Sequence, residues 1–206
     1  MTLLEEIPGE SFREGSIPVL ETRRLVLRAP RLEDAKAVAA LANDRRIAEN
    51  TARIPHPYKM SDAEGFIGGA NKAGGEVMFL ITANDGKGKA TIMGAAGIML
   101  LDRDSPELGY WLGVPYWGSG FATEALHAVV DYAFGDLDHA ALYAGARVTN
   151  PASRRVLEKC GFQWTGVGLY RIASIRSSAP IDRFRLERGI WSALKGWGKG
   201  KVRKAR

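Results

Sequence analysis

The sequence holds one cysteine, Cys160, in 206 residues. That excludes a disulfide framework and a Cys-rich zinc module. No apolar run reaches the length of a membrane span. Glu5, Glu6 and Pro8 interrupt the opening residues and no positive segment precedes them, so no secretory signal is expected. A cytoplasmic protein is the expectation, and a lone thiol suits a reducing compartment. Histidine is scarce, and of the three, His127 and His139 have no partners at ligand spacing, so no metal site is expected. Both common nucleotide-binding motifs are missing. There is no GxxxxGK[ST], and the GxG at Gly118–Gly120 meets Thr123 where a third glycine would stand. Acid is absent from the last twelve residues, where Lys195, Lys199, Lys201, Arg203, Lys204 and Arg206 account for the whole net charge of +6. The rest of the chain is formally neutral. A domain built to grip nucleic acid would carry its charge on a folded face, so nucleic-acid binding is expected only as weak contact through this tail.

What is present fits one globular domain. Hydrophobic residues make up 46% and charged residues 25% of the chain, enough at this length for a core without staples. Residues 1–16 read as a loose arm, residues 17–191 as the domain, and residues 192–206 as a basic, disordered tail. Leu25–Arg28 reads as a strand and Arg31–Ala42 as a helix with apolar spacing of three and four. The prolines of Ile54–Tyr58 exclude a helix there. Ser61 and Glu64 form a capping box that opens a short helix. Three strands follow, Val77–Thr82, Thr91–Leu101 and Glu107–Leu112, with turns at Asn84–Lys89 and Asp102–Pro106. Gly94 and Gly97 inside the second strand mark a bulge or a close backbone approach. Ala122–Ala133 is an amphipathic helix. Ala140–Val148 is a strand. Asn150 and Pro151 start a second helix as N-cap and first residue, and Gly161 closes it. Phe162–Val167 and Ile181–Leu186 are the last strands, with a mobile loop at Ile172–Pro180. The order β-α-α-β-β-β-α-β-α-β-β is mixed α/β in one domain.

The chemistry concentrates at residues 107–126. Gly118, Ser119 and Gly120 lie between a strand and a helix, where free backbone N–H groups and the helix dipole favour phosphate oxygens. Asn150–Arg155 adds a polar cap, a serine and two arginines at the next helix start. If the two preceding strands are neighbours, both helix N-termini open onto one end of the sheet, and a long phosphorylated cofactor fits between them.

Gly109-Tyr110-Trp111-Leu112, Trp117-Gly118-Ser119-Gly120-Phe121-Ala122-Thr123-Glu124-Ala125, and Asn150-Pro151-Ala152-Ser153 with Glu158-Lys159-Cys160-Gly161-Phe162 resemble, in order and spacing, the GNAT superfamily of acetyl-CoA-dependent N-acetyltransferases. Leu20–Arg28 and Ile54–Tyr58 are similar to its RimJ/RimL-type branch of ribosomal-protein alanine acetyltransferases. The resemblance spans roughly residues 19–191. It implies a single GNAT-like α/β (α+β) domain, a mixed, mostly antiparallel sheet of about seven strands flanked by about four helices. It implies acetyl-CoA as cofactor and an amine acceptor, either a protein N-terminus or a small molecule. The family's cofactor loop, (Gln/Arg)-x-x-Gly-x-(Gly/Ala), falls on Trp117, Gly118, Ser119, Gly120, Phe121 and Ala122. Trp117 replaces the polar first residue. Ser119 stands where a basic residue is frequent, and Arg154 or Arg155 would then supply the cation. Asn150 and Ser153 complete the cofactor contacts.

The family chemistry is attack of a neutral amine on a thioester, which needs a base, an oxyanion donor and a proton for the thiolate. Glu107 is the candidate base. Ser153 is the candidate donor to the thiolate or acceptor, with Tyr143 and Tyr170 as further acids. His56, Tyr58 and Tyr110 are candidate acceptor contacts. Acceptor shape is assigned to residues 44–76 and the loops near Asp102–Pro106 and Ile172–Pro180. Cys160, at a helix C-terminus, reads as a small core residue. An edge strand offers a possible homodimer contact. The alternative function is a non-catalytic module of the same fold that binds nucleic acid or the ribosome through the basic tail.

Overall fold

The computed structural model describes residues 17–71, 76–83, 91–100 and 105–197. The expected arm, the Asn84–Lys89 turn, most of the Asp102–Pro106 turn and the tail from residue 198 lie outside the described residues. Eight strands form one sheet: β1 (Leu20–Glu21), β2 (Leu25–Arg28), β3 (Glu76–Ala83), β4 (Ile92–Leu100), β5 (Pro106–Leu112), β6 (Ala141–Arg147), β7 (Gln163–Ile172) and β8 (Ser177–Glu187). The helices are α1 (Ala35–Ala42), α2 (Arg45–Ala48), α3 (Met60–Gly69), α4 (Phe121–Gly135), α5 (Pro151–Lys159) and α6 (Arg188–Trp197). The strand order is β1-β2-β3-β4-β5-β6-β8-β7, and every neighbouring pair is antiparallel except β5 and β6.

Alternation on the strands sets the two layers. Phe79 and Ile81 of β3 and Leu108 and Leu112 of β5 join the core under α4. Met78 and Leu80 face the other way, into a second core with Val38, Ala42, Ala63 and Ile67 of α1 and α3. Gly94 and Gly97 are close approaches, as their position inside a strand suggested. A Cβ at either would collide with the carbonyl oxygen of Trp111 or Val77 on the neighbouring strand.

Several local expectations change. The cap of α3 lies two residues earlier than Ser61 and is not a full capping box, because a lysine side chain cannot accept. Lys59 is the N-cap, and its backbone N–H donates to Asp62 Oδ2 at 2.7 Å. Ile172–Pro180 is not a loop. β7 and β8 run through it as a hairpin, leaving only residues 173–176 as the turn. That turn is tied down: the Ala173 N–H donates to the Ala52 carbonyl at 2.9 Å and Ser174 Oγ to the Ala48 carbonyl at 2.9 Å. Two helices beyond the expected set appear, the one-turn α2 and α6. The expected domain boundary at residue 191 falls inside α6, whose Trp191 stacks on Phe134 with centroids 5.2 Å apart. Among the described residues no helix is long and apolar enough to cross a membrane.

Candidate active site

The parallel pair positions the site. β5 and β6 pair only at Glu107↔Tyr143 and Leu108↔Ala144. The ladder then stops, although β5 continues to Leu112 and β6 to Arg147. Because the strands are parallel, α4 and α5 both begin at the same edge of the sheet, beyond the opening. A cavity of about 790 Å³ occupies the opening and the face beneath α2 and α3. Glu107, Tyr110, Ser153 and Tyr58 line it, together with Trp111, Arg147 and Tyr170.

Odd residues of β5 look toward α1–α3 and even residues toward α4, as Trp111 and Tyr110 show. Glu107 therefore approaches from one face. Tyr170 Oη donates to its Oε2 at 3.2 Å. Burial pushes the Glu107 carboxyl above its usual range, opposed by that hydrogen bond and by the charges of Arg53 and Arg183. Tyr110 approaches from the other face, where its Oη donates to Ser153 Oγ at 2.9 Å. Burial pushes the Tyr110 hydroxyl up to about 12, so it stays protonated at neutral pH. Ser153 is held in turn by its helix end: its N–H donates to Asn150 Oδ1 at 3.0 Å, with Asn150 as N-cap of α5. A carboxyl able to act as a base and a hydroxyl that keeps its proton thus meet one cavity from opposite sides of the sheet.

The glycine loop stands at the start of α4. Gly118 and Gly120 have φ of +75° and +79°. This left-handed backbone favours glycine, and it turns successive N–H groups outward at the N-terminus of a 15-residue helix. Trp117 is anchored away from the loop, donating Nε1–H to the Leu112 carbonyl at 2.8 Å. Phe121 is covered by the Arg24 guanidinium at 4.4 Å, and Ala122 packs against the core beneath α4.

Arg24 is the cation beside this loop. Its Nη1 donates to the Ser119 carbonyl at 3.0 Å and its Nε pairs with Glu124 at 2.6 Å. Neither expected arginine takes that place. Arg154 is held by Glu158 at 2.9 Å and faces Asp182 at 3.6 Å, while Arg155 is exposed on the next position of α5. No sequence signal singles out Arg24, because its partner Glu124 lies 100 residues away and meets it only through the fold.

His56 is not brought to the cavity. It is exposed, and its neighbours Pro55 and Tyr58 line the wall instead. The buried Tyr58 is fixed by its N–H, which donates to Asn43 Oδ1 at 2.9 Å. Cys160 is buried, and burial pushes its thiol up to about 12. Among the described residues no group of three or more His, Cys, Asp or Glu side chains is placed to hold a metal ion.

A family profile described as the acetyltransferase (GNAT) domain matches residues 24–163. The chain is 31% identical over 172 residues to the uncharacterized N-acetyltransferase YoaA of Bacillus subtilis (strain 168), covering 80% of this chain and 93% of that protein. It is 29% identical to the uncharacterized N-acetyltransferase p20 of Bacillus licheniformis, covering 72% and 84% respectively. RimJ of Mycobacterium smegmatis, solved in complex with CoA-disulfide, shares the fold at a TM-score of 0.72 and 20% identity, over 88% of this chain and 93% of that one. The chain therefore belongs to the GNAT acetyltransferase family. It is an N-acetyltransferase, and the acyl donor of its family is acetyl-CoA.

Proposed function

We propose that this enzyme acetylates a primary amine, a protein N-terminus or a small molecule, by direct attack within a ternary complex. The observation that carries the reading is the opening between β5 and β6, with Glu107 on one face, Tyr110 and Ser153 on the other, and two helix N-termini at its rim.

Acetyl-CoA supplies the acetyl thioester. The N–H groups of residues 118–122 and the α4 dipole suit its pyrophosphate without a net positive surface, and Arg24 steadies that loop through Ser119 and Phe121. The donor set fits: two glycines free of Cβ atoms, a long helix behind them, and one nearby cation. Glu107, ionised, accepts the proton of the incoming ammonium, directly or through one water. The edge of β5 beyond Leu108, free of pairing to β6, offers backbone N–H groups to the developing oxyanion. Tyr110 and Ser153 form the proton-bearing pair for the leaving thiolate.

A panel of small amines and N-terminal peptides with acetyl-CoA, followed by thiol release, tests this. Intersecting initial-velocity lines are expected, and parallel lines would overturn direct transfer. Gly120→Glu sets a carboxylate in the proposed phosphate loop. Titration calorimetry should then show acetyl-CoA binding lost for the variant, and undiminished binding would remove the loop from the site.

A further inference from the structure

Three of the described arginines are partly buried: Arg28, Arg147 and Arg188. Arg28 is paired with Asp34 and Arg188 with Asp138. Arg147 has no carboxylate partner among the described residues. Its Nη1 donates to the Glu49 carbonyl at 2.8 Å, and its Nε is buried without a hydrogen-bond partner. A partly buried cation left uncompensated is costly, and this one lines the acceptor cavity.

Its place on β6 relates it to the base. Tyr143 pairs with Glu107, and Tyr143, Gly145 and Arg147 share one face of the strand. Arg147 lies four residues further along, roughly 13 Å by strand rise. Between them stands Gly145, where a Cβ would meet Ile181 Cγ2 at 2.9 Å and Glu107 Oε1 at 3.9 Å, so the floor there is backbone and the Ile181 side chain. Tyr58, Phe66 and Trp111 give aromatic wall, and Asp62 and the Arg53–Glu76 ion pair also line the cavity. Arg53 is already paired with Glu76, so among the described residues Arg147 is the lining cation left without a carboxylate, and an acceptor that joins an amine to an anionic group would match Glu107 and Arg147. A guanidinium fork matches the planar oxygens of a carboxylate, or those of a phosphate.

We propose that Arg147 binds an anionic oxygen group on the acceptor, so that the preferred substrates are amines whose far end carries a carboxylate or a phosphate. This rests on the reading that the acceptor amine meets Glu107.

The alternative is that Arg147 only holds the residue 48–52 segment to the sheet through the Glu49 carbonyl. Ser174 holds the same segment through Ala48 without lining the cavity, so it serves as the control. The probes are 4-(2-aminoethyl)benzoate against 4-(2-aminoethyl)benzamide, and tyramine phosphate against tyramine. For the unmodified enzyme, kcat/KM should be at least tenfold higher on an anionic member than on its neutral partner. Which pair discriminates identifies carboxylate or phosphate. Arg147→Met should erase the preference by a tenfold loss on the anionic member, with less than a twofold change on the neutral one. Arg147→Lys should keep part of it, and Ser174→Ala all of it. Equal losses on both members in Arg147→Met, loss of the preference in Ser174→Ala, or no preference at the outset would each overturn the inference. Calorimetry of 4-(2-aminoethyl)benzoate separates the two readings. Binding to Glu107→Gln but not to Arg147→Met supports the anion site even if Glu107 proves not to be the base. Equal binding to both variants removes the anion site and leaves Glu107 standing.

Discussion

Tyr110 Oη donates to Ser153 Oγ at 2.9 Å, joining the middle of β5 to the first turn of α5 across the opening between the parallel strands. The two residues come from opposite sides of that opening, so the bond spans the place where the ladder between β5 and β6 has stopped. Ser153 is polarised as a donor when its own oxygen accepts from Tyr110, and Tyr110 keeps its proton because burial holds its hydroxyl up to about 12. Tyr110→Phe should lower kcat by about 10²-fold or more and leave KM for acetyl-CoA unchanged. Ser153→Ala should act in the same direction, and the double variant should be no worse than the poorer single one, since the two act as a unit. Additive losses in steady-state kinetics would show that they act separately.

Glu107 and Tyr170 give a pH prediction with a definite sign. A base works ionised, so activity is present above the Glu107 pKa and is lost as pH falls through it. Burial raises that pKa, and the Tyr170 hydrogen bond opposes the rise. Tyr170→Phe removes the opposing bond, so the acid limb of kcat/KM should move to higher pH. The rate on the alkaline side of the limb should stay near that of the unmodified enzyme. Glu107→Gln should flatten the limb and lower kcat by roughly 10²–10⁴-fold. An acid limb unmoved in Tyr170→Phe would assign the titration to another group.

Much of this site was legible in the chain because its signals are local. The N-cap Asn150, the glycines at 118 and 120 and the alternation on β5 all act within a few residues, and the structure places each as those local rules require. Distant pairings were not legible. Arg24 meets Glu124 across 100 residues of sequence, and Arg147 meets the Glu49 carbonyl across 98. No spacing rule connects such partners; only the sheet order does. Both strands of the β7–β8 hairpin are expected from the sequence, but its far end at Ile172–Pro180 reads there as a loop. Its serines suggest a loop, while its order comes from the pairing of β7 with β8, of β8 with β6, and from the bond to Ala52. His56 sits in a segment whose prolines fixed its irregular backbone without fixing which side chains turn inward. Residues 192–197 read as tail because Lys195 belongs to the basic terminus, yet they continue helix α6, whose Trp191 rests on Phe134.

Asp34 ties the strand β2 to the start of α1. It accepts from both terminal nitrogens of Arg28 at 2.8 Å and from the Arg31 N–H at 2.8 Å. Burial pushes its carboxyl up, but the Arg28 hydrogen bond and the Arg31 N–H outweigh burial and leave it below the usual range. Its contribution to stability is therefore complete above the unfolded value, near 3.9, and is lost as pH falls through the lowered folded value. Asp34→Asn should cost about 3 kcal/mol at neutral pH by leaving Arg28 without its counter-charge. The difference between the two proteins in urea unfolding should shrink steadily below about pH 4. A difference that stays constant into that range would mean the carboxylate charge is not what the bond depends on.

Arg24 separates two ways in which a loop can hold a phosphate. If the site at Gly118–Gly120 depended on side-chain charge, removing its neighbouring cation would abolish cofactor binding. If it depends on backbone N–H groups and the α4 dipole, the loss is partial and comes from loosening the loop. Arg24 is itself tied to Glu124 and stacked on Phe121, so much of its charge is already compensated. Its bond to the Ser119 carbonyl instead holds the turn that leads into α4. Arg24→Gln should therefore weaken acetyl-CoA binding about tenfold, by the order of one hydrogen bond to a charged group, with little change in salt dependence. Arg24→Lys should not restore it, because an ammonium cannot make the same fork to Glu124 and Ser119. Calorimetry at two salt concentrations decides between the two. A steep fall in salt dependence in Arg24→Gln, with rescue by lysine, would make Arg24 a direct phosphate ligand instead.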